Sequence, residues 1–212
     1  MTKIIALIGI DGSGKTTQAR LLYYALRKRK FKVKIIYAGN TGVSLGRKFS
    51  FYLSLPIDII LHRLLDVHDN SALLKYRTFL RLKAFLLFLN YLILVLPKIL
   101  FYGRMYRVLI ADRYVYDYIV STILQKKYFR SLIKILLRIV PKPKVTLLLD
   151  VDSLIALHRK NAEKTLGELR LLRSIYLHLI ANMNGIIIDA SKSKIETFRD
   201  IMKIVKPSLE DI

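Results

Sequence analysis

The chain has no cysteine, no tryptophan and few acids: 15 Asp and Glu stand against 37 Lys and Arg over 212 residues, a formal net charge of +22. Without cysteine there is no disulfide framework, thiolate zinc site, iron–sulfur cluster or cysteine nucleophile. Without tryptophan, a stacking platform for single-stranded nucleic acid lacks one of its usual parts. The acids are also unevenly spread. Residues 12–57 hold ten Lys/Arg, 71–111 hold seven and 118–149 hold seven, and none of these stretches contains an acid. Such a charge draws anions, whether nucleotides, nucleic acid or a membrane surface, without choosing among them. No repeat, Ser/Gly linker or low-complexity tail divides the chain, and MTKIIALIGI runs into a glycine loop without a cleavage signal. A single domain over 1–212 and a cytoplasmic location are therefore expected.

Hydrophobic residues make up 53% of the sequence, enough for a sizeable core. Apolar runs bounded by breakers read as buried parallel strands at Ile4–Ile8, Val33–Tyr37, Val108–Ala111, Val145–Leu149 and Ile186–Ile188. Helical patterns alternate with them: Thr16–Lys30, much of 57–102, Tyr114–Gln125, Phe129–Val140, Ser153–Lys160, Glu163–Met183 and Ile195–Lys206. This alternation predicts an α/β fold with an open parallel five-stranded sheet and helices on both faces. Ligands of such sheets bind at the carboxyl ends of the strands. The longest apolar run, Ala84–Pro97 between Lys83 and Lys98, is shorter than the roughly 20 residues a membrane span needs, so no span is expected.

Gly9-Ile10-Asp11-Gly12-Ser13-Gly14-Lys15-Thr16 matches G-x-x-x-x-G-K-[ST] at every position, after a strand and at the start of a helix. The glycines let backbone N–H groups face inward around phosphate oxygens, with the helix dipole behind them. Lys15 suits the β- and γ-phosphates of ATP, and Thr16 offers a hydroxyl to Mg²⁺, with Thr17 next on the helix. The second strand of interest, Val108–Ala111, ends in Asp112, which can hold the metal or orient a nucleophile. Arg113 beside it suits a second phosphate through its guanidinium fork. The loop supplies no arginine of its own, so Arg159, Lys160 and Lys164 after the fourth strand are candidates for an added cation on the moving phosphoryl group.

These residues resemble the thymidylate kinase family of P-loop nucleoside monophosphate kinases: IGIDGSGKTTQA, IADRY, LLLDVDS and GIIIDAS follow in the family's order. The resemblance implies Mg²⁺-assisted transfer of the γ-phosphate of ATP to a (deoxy)nucleoside monophosphate, dTMP first among them. It implies that Asp11 approaches the substrate sugar and phosphate, that Arg113 grips the acceptor phosphate, and that Asp189-Ala190 lies near adenine. It also implies a helical substrate-side insert at about 43–103, a short lid at about 157–168 with Arg159 as its catalytic cation, and a homodimer. Phe88 fits the position that stacks on the base, with Asn90 beside it. The sequence departs from the family at two places. The segment Tyr37–Gly42 has no basic residue before Arg47, and Leu92 stands where an arginine would read the base edge. Arg47, Arg77 and Arg81 are the available replacements.

Three other patterns have ordinary readings. Asp58, His62 and Asp66, with His68 and Asp69, have metal-ligand spacing, but Arg63 among them favours helix-surface ion pairs. His158 and His178 read as surface residues. Lys126, Arg130, Lys134 and Arg138 recur every four residues opposite Ile133, Leu136, Leu137 and Val140, an amphipathic basic helix with no nucleic-acid motif beside it. Nucleic acid is not the expected partner. Two rival readings stay open: a nucleotide-binding regulatory or interaction protein without acceptor kinase activity, and an ATPase working on a polyanion or membrane surface.

Overall fold

The computed structural model describes residues 2–39, 85, 88–124, 130–159 and 164–210. Five strands, β1 (Lys3–Ile8), β2 (Val33–Tyr37), β3 (Val108–Asp112), β4 (Val145–Asp150) and β5 (Ile186–Asp189), form one parallel sheet in the order β2-β3-β1-β4-β5. β1 lies in the middle, and Ile5 to Ile8 are wholly buried, as expected of a strand covered on both faces. β5 differs from the buried strand that its composition suggested. It is an edge strand with Ile187 51% exposed, because a run of isoleucine carries no mark of which neighbour is missing.

Seven α-helices surround this sheet among the described residues: α1 (Lys15–Lys28), α2 (Leu96–Met105), α3 (Val115–Leu124), α4 (Arg130–Ile139), α5 (Ser153–Arg159), α6 (Leu166–Ala181) and α7 (Lys194–Leu209). The face of α1 formed by Gln18, Ala19, Leu22 and Leu26 is buried, and Gln18 donates to the Lys194 carbonyl at 3.0 Å, joining α1 to α7. α6 and α7 both start with capping boxes, Thr165 with Glu168 and Ser193 with Glu196, which satisfy N–H groups the first turn leaves open. Of the four apolar positions along α4 and just beyond it, only Leu136 and Val140 are buried, while Lys134 and Arg138 are exposed.

A π-helical turn, Tyr91–Val95, leads into α2, so the helix does not stop at Lys98. Phe88–Met105 is long and apolar enough by composition to cross a membrane, with 28% of it buried. That corrects the length argument drawn from Ala84–Pro97: Lys98 is carried inside the helix, its ammonium 3.4 Å from the Tyr37 carbonyl. Phe88, Tyr91, Val95 and Ile99 are buried at three- and four-residue spacing, seating one row of this helix on the protein's own core.

Candidate functional site

The carboxyl ends of β1 and β3 set the geometry. Leu7 pairs in register with Asp112, so the loop that follows β1 and the end of β3 face one another. The loop turns on positive-φ glycines, Gly9 (138°), Gly12 (85°) and Gly14 (87°). At Gly12 a side chain is doubly excluded, because a Cβ would also land on the carbonyl oxygen of Ala156 in α5. Gly14 is the N-cap of α1 and has no side chain to close it, which leaves the first amides of the helix for a ligand.

Lys15 is 5% exposed and folded back into this loop, donating to the carbonyls of Gly9 (2.9 Å) and Ile10 (2.6 Å) and lying 3.4 Å from the Ser13 hydroxyl. Burial, and after it the Arg113 charge, bring its pKa down from 10.5 to about 8. A bound phosphate favours the charged ammonium, so nucleotide binding should take up protons. Affinity should fall by up to about tenfold per pH unit above pH 8. Calorimetry in buffers of different ionisation enthalpy checks this, and a pH-independent affinity across that range would contradict it.

Thr16 donates its hydroxyl to Asp112 Oδ2 at 2.7 Å, and the other carboxylate oxygen, Oδ1, is buried with no hydrogen-bond partner. A hydroxyl and a carboxylate with an orphaned oxygen form an all-oxygen donor pair of the sort Mg²⁺ takes. Among the described residues no cluster of three or more His, Cys, Asp or Glu competes as a metal site, and Asp58, His62, Asp66, His68 and Asp69 lie outside them.

Arg113 sits at the centre of a charged cluster. It pairs with Asp11 and, at 3.0 Å, with Asp117, from a left-handed backbone (φ 71°) that a non-glycine residue seldom adopts. Burial opposes the guanidinium charge, but Asp117, Tyr37 and Asp11 outweigh it and raise its pKa. Asp11 is also held by Lys164 at 2.7 Å. Burial alone would raise the Asp11 carboxyl, yet Arg113, Lys164 and Lys15 together keep it well below the usual carboxylate range.

Asp117 belongs to this cluster and was missed, with no reason in the sequence to single it out. It is 6% exposed and accepts from Arg113, from the Tyr114 amide (3.1 Å) and from the Tyr176 hydroxyl (2.7 Å) of α6. Its only signal in sequence is an acid in the first turn of a helix, the commonest place for one. Gly39 was missed as well. A Cβ there would press on the Arg113 stem, so the glycine lets β2's trailing loop lie against that arginine.

The structure separates the lid candidates. Lys164 reaches Asp11 of the loop, whereas Arg159 donates to the carbonyls of Ala190 (2.7 Å) and Ser191 (3.2 Å), and Lys160 lies outside the described residues. Asp189 caps the same turn through Ser191. A cavity of about 440 Å³ runs between the loop and this turn, lined by Gly12, Ser13, Thr17, Arg159, Ala190 and Lys192 among others. Its walls bring together Ser13, Thr17, Arg159 and Ala190, placed here by unrelated stretches of sequence.

Phe88 and Asn90 are both buried, and the Phe88 ring stacks on Phe85 with centroids 6.3 Å apart. Their neighbour Tyr91 is fully buried, and its hydroxyl has no hydrogen-bond partner. Burial raises its pKa, with Tyr114, Asp117 and Tyr116 adding to the effect, so this phenol lies in the field of the Arg113 cluster. Arg47, Arg77, Arg81, Asn40–Gly42, Leu86 and Leu87 lie outside the described residues.

No protein-family model matches the chain. Among curated proteins, the chain is 29% identical over 224 residues to a probable thymidylate kinase 1 of Saccharolobus solfataricus, covering 99% of this chain and all of that protein. A probable thymidylate kinase of Archaeoglobus fulgidus is 26% identical over 212 residues, 97% of this chain and 96% of the relative. Both relatives align with nearly the whole chain, and this supports the thymidylate kinase family as the one the chain is similar to. A probable thymidylate kinase of Pyrobaculum aerophilum adds a shorter match, 39% identical over 83 residues, 36% of this chain and 43% of the relative. The fold described above is consistent with a P-loop kinase of this family, with β1 and its glycine loop at the centre of the sheet.

Proposed function

We propose that the protein is a nucleoside monophosphate kinase that moves the γ-phosphate of ATP onto a deoxynucleoside monophosphate, dTMP first among the acceptors. The observation that carries this reading is the meeting of two anion sites across Asp11. One is the glycine loop with Lys15, and the other is Arg113 braced by Asp117. A simple ATPase needs only the first.

In this reading ATP lies in the 440 Å³ cavity with its phosphates along the loop amides and its base by Ala190 and Arg159. Lys15 exchanges its carbonyl partners for the β- and γ-phosphates. Thr16 and Asp112 would hold Mg²⁺, which supplies charge neutralisation on the transferred group. Arg113 holds the acceptor phosphate in line, and Lys164, freed from Asp11, brings a cation over the reacting oxygens. The protein's part is positioning and fixed charge rather than covalent chemistry. The buried Tyr91 hydroxyl is one group a bound acceptor could satisfy on the side where an arginine is missing.

The test is a panel of nucleoside monophosphates incubated with ATP, Mg²⁺ and purified protein. The diphosphate of dTMP should form fastest, and Asp112→Asn should lower turnover about 10²-fold or more and raise the Mg²⁺ requirement. Absence of every diphosphate product would end the proposal and favour the regulatory reading. We also propose a homodimer, since Ile93, Leu100 and Phe101 leave the helix at 63%, 46% and 59% exposure. Light scattering should give twice the 24.6 kDa chain mass, and a mass of one chain would refute it.

A further inference from the structure

The amino-terminal edge of the sheet has a feature that phosphoryl transfer does not use. The segments that enter β1, β2, β3 and β4 converge there on an open depression of about 1040 Å³. It is lined by Thr2, Lys3, Lys32, Gly103–Arg107 and Lys142–Lys144, so six of its eleven described lining residues are Lys or Arg and none is Asp or Glu. β1 runs six residues from this edge to the glycine loop, a separation of about 20 Å at strand rise. The two places are therefore distinct.

The two ends of the sheet differ in how their cations are neutralised. At the carboxyl end Arg113, Lys164 and Arg173 each face a carboxylate, of Asp11 and Asp117, of Asp11, and of Asp150. At the amino end Lys32, Arg104, Lys142 and Lys144 are exposed and make no ion pair among the described residues. They are not one solvated helix face. They come from three different approaches to the sheet, those of β2, β3 and β4, and strand register fixes them around one hollow. Lys32 lies 5.7 Å from the centroid of Tyr106, which forms part of the wall. Cations gathered this way repel one another, and a multivalent anion relieves that repulsion.

We infer that this depression is a second anion site, which takes a compact polyphosphate group such as the triphosphate of a nucleotide. Ammonium groups and a guanidinium fork from several directions suit clustered phosphate oxygens. The space is of nucleotide size. Its single, half-buried tyrosine favours a small ligand over a polymer, which would need exposed stacking rings.

The experiment is a calorimetric titration of the full chain with inorganic tripolyphosphate at low salt, beside the variant K32Q/R104Q/K142Q/K144Q. The wild type should bind one more equivalent than the variant, with an affinity that falls steeply as salt is added. A second variant, K32R/R104K/K142R/K144R, should retain that equivalent, which separates charge from folding. Kinase turnover of the charge-neutral variant should stay within about twofold of wild type, because none of the four residues lies in the transfer machinery. Repeating the titration with a non-hydrolysable ATP analogue identifies the ligand. Two equivalents on the wild type mean that nucleotides enter by their triphosphate, and one means that free polyphosphate is preferred; either supports the site. Equal stoichiometry and affinity in wild type and charge-neutral variant overturn it. So does tighter binding of a single-stranded oligonucleotide than of tripolyphosphate, lost on the same four substitutions, since the surface would then read a polymer.

Discussion

Lys15→Ala should lower phosphoryl transfer by about 10²–10³-fold or more, while the far-ultraviolet circular dichroism stays that of the native protein. Among the described residues the ammonium is the one cation enclosed by the glycine loop, held by Gly9 and Ile10 carbonyls that also mark where phosphate oxygens would have to displace it. In a water-poor pocket such a charge is worth far more than at a surface, and among the described residues the nearby cations are engaged elsewhere: Lys164 with Asp11 and Arg159 with the Ala190 turn. The fold has little to lose, because a buried charge whose pKa is already lowered is not a source of stability. A variant with half the wild-type turnover would show that the loop does not carry the reaction. Loss of the native spectrum would show instead that Lys15 is structural.

Asp117→Ala should destabilise the protein by about 3–5 kcal/mol, the cost of stripping a buried partner from a charge and its hydrogen bonds. Three donors converge on this carboxylate, and removal leaves the Tyr114 amide and the Tyr176 hydroxyl without their acceptor inside the protein. Urea unfolding measures it, and a loss under about 1 kcal/mol would mean that water or a neighbour takes over. The milder Asp117→Asn keeps the shape and removes the charge that holds Arg113. Its expected signature is a raised KM for the acceptor with kcat less affected, because in the proposed reaction the arginine would grip the acceptor phosphate before and during transfer. An unchanged KM would make Asp117 a structural residue only.

Much of this site was legible in the sequence because its parts are local. The glycine loop is eight consecutive residues, and Asp112-Arg113 follow an apolar strand whose end must face it. The sheet was legible for the same reason: each strand is a short apolar run between breakers. What escaped depends on distant partners. Asp117 looks like any helix-start acid until Tyr176, 59 residues later, is brought to 2.7 Å. The choice between Arg159 and Lys164 turns on where α5 ends and what the Ala190 turn offers, neither of which residue type encodes. The exposure of β5 follows from its place at the edge, and the run of α2 through Lys98 follows from a carbonyl on another strand.

The position of Asp11 has one more consequence. It is an internal anion resting on Arg113 and Lys164, the cations that an incoming monophosphate would claim. Under the proposed function, loading the acceptor would be an exchange, with one anion leaving as another arrives. A nucleoside without its phosphate has nothing to offer in that exchange. The empty protein would thus refuse unphosphorylated nucleosides by keeping its arginine occupied, before any feature of the base is read.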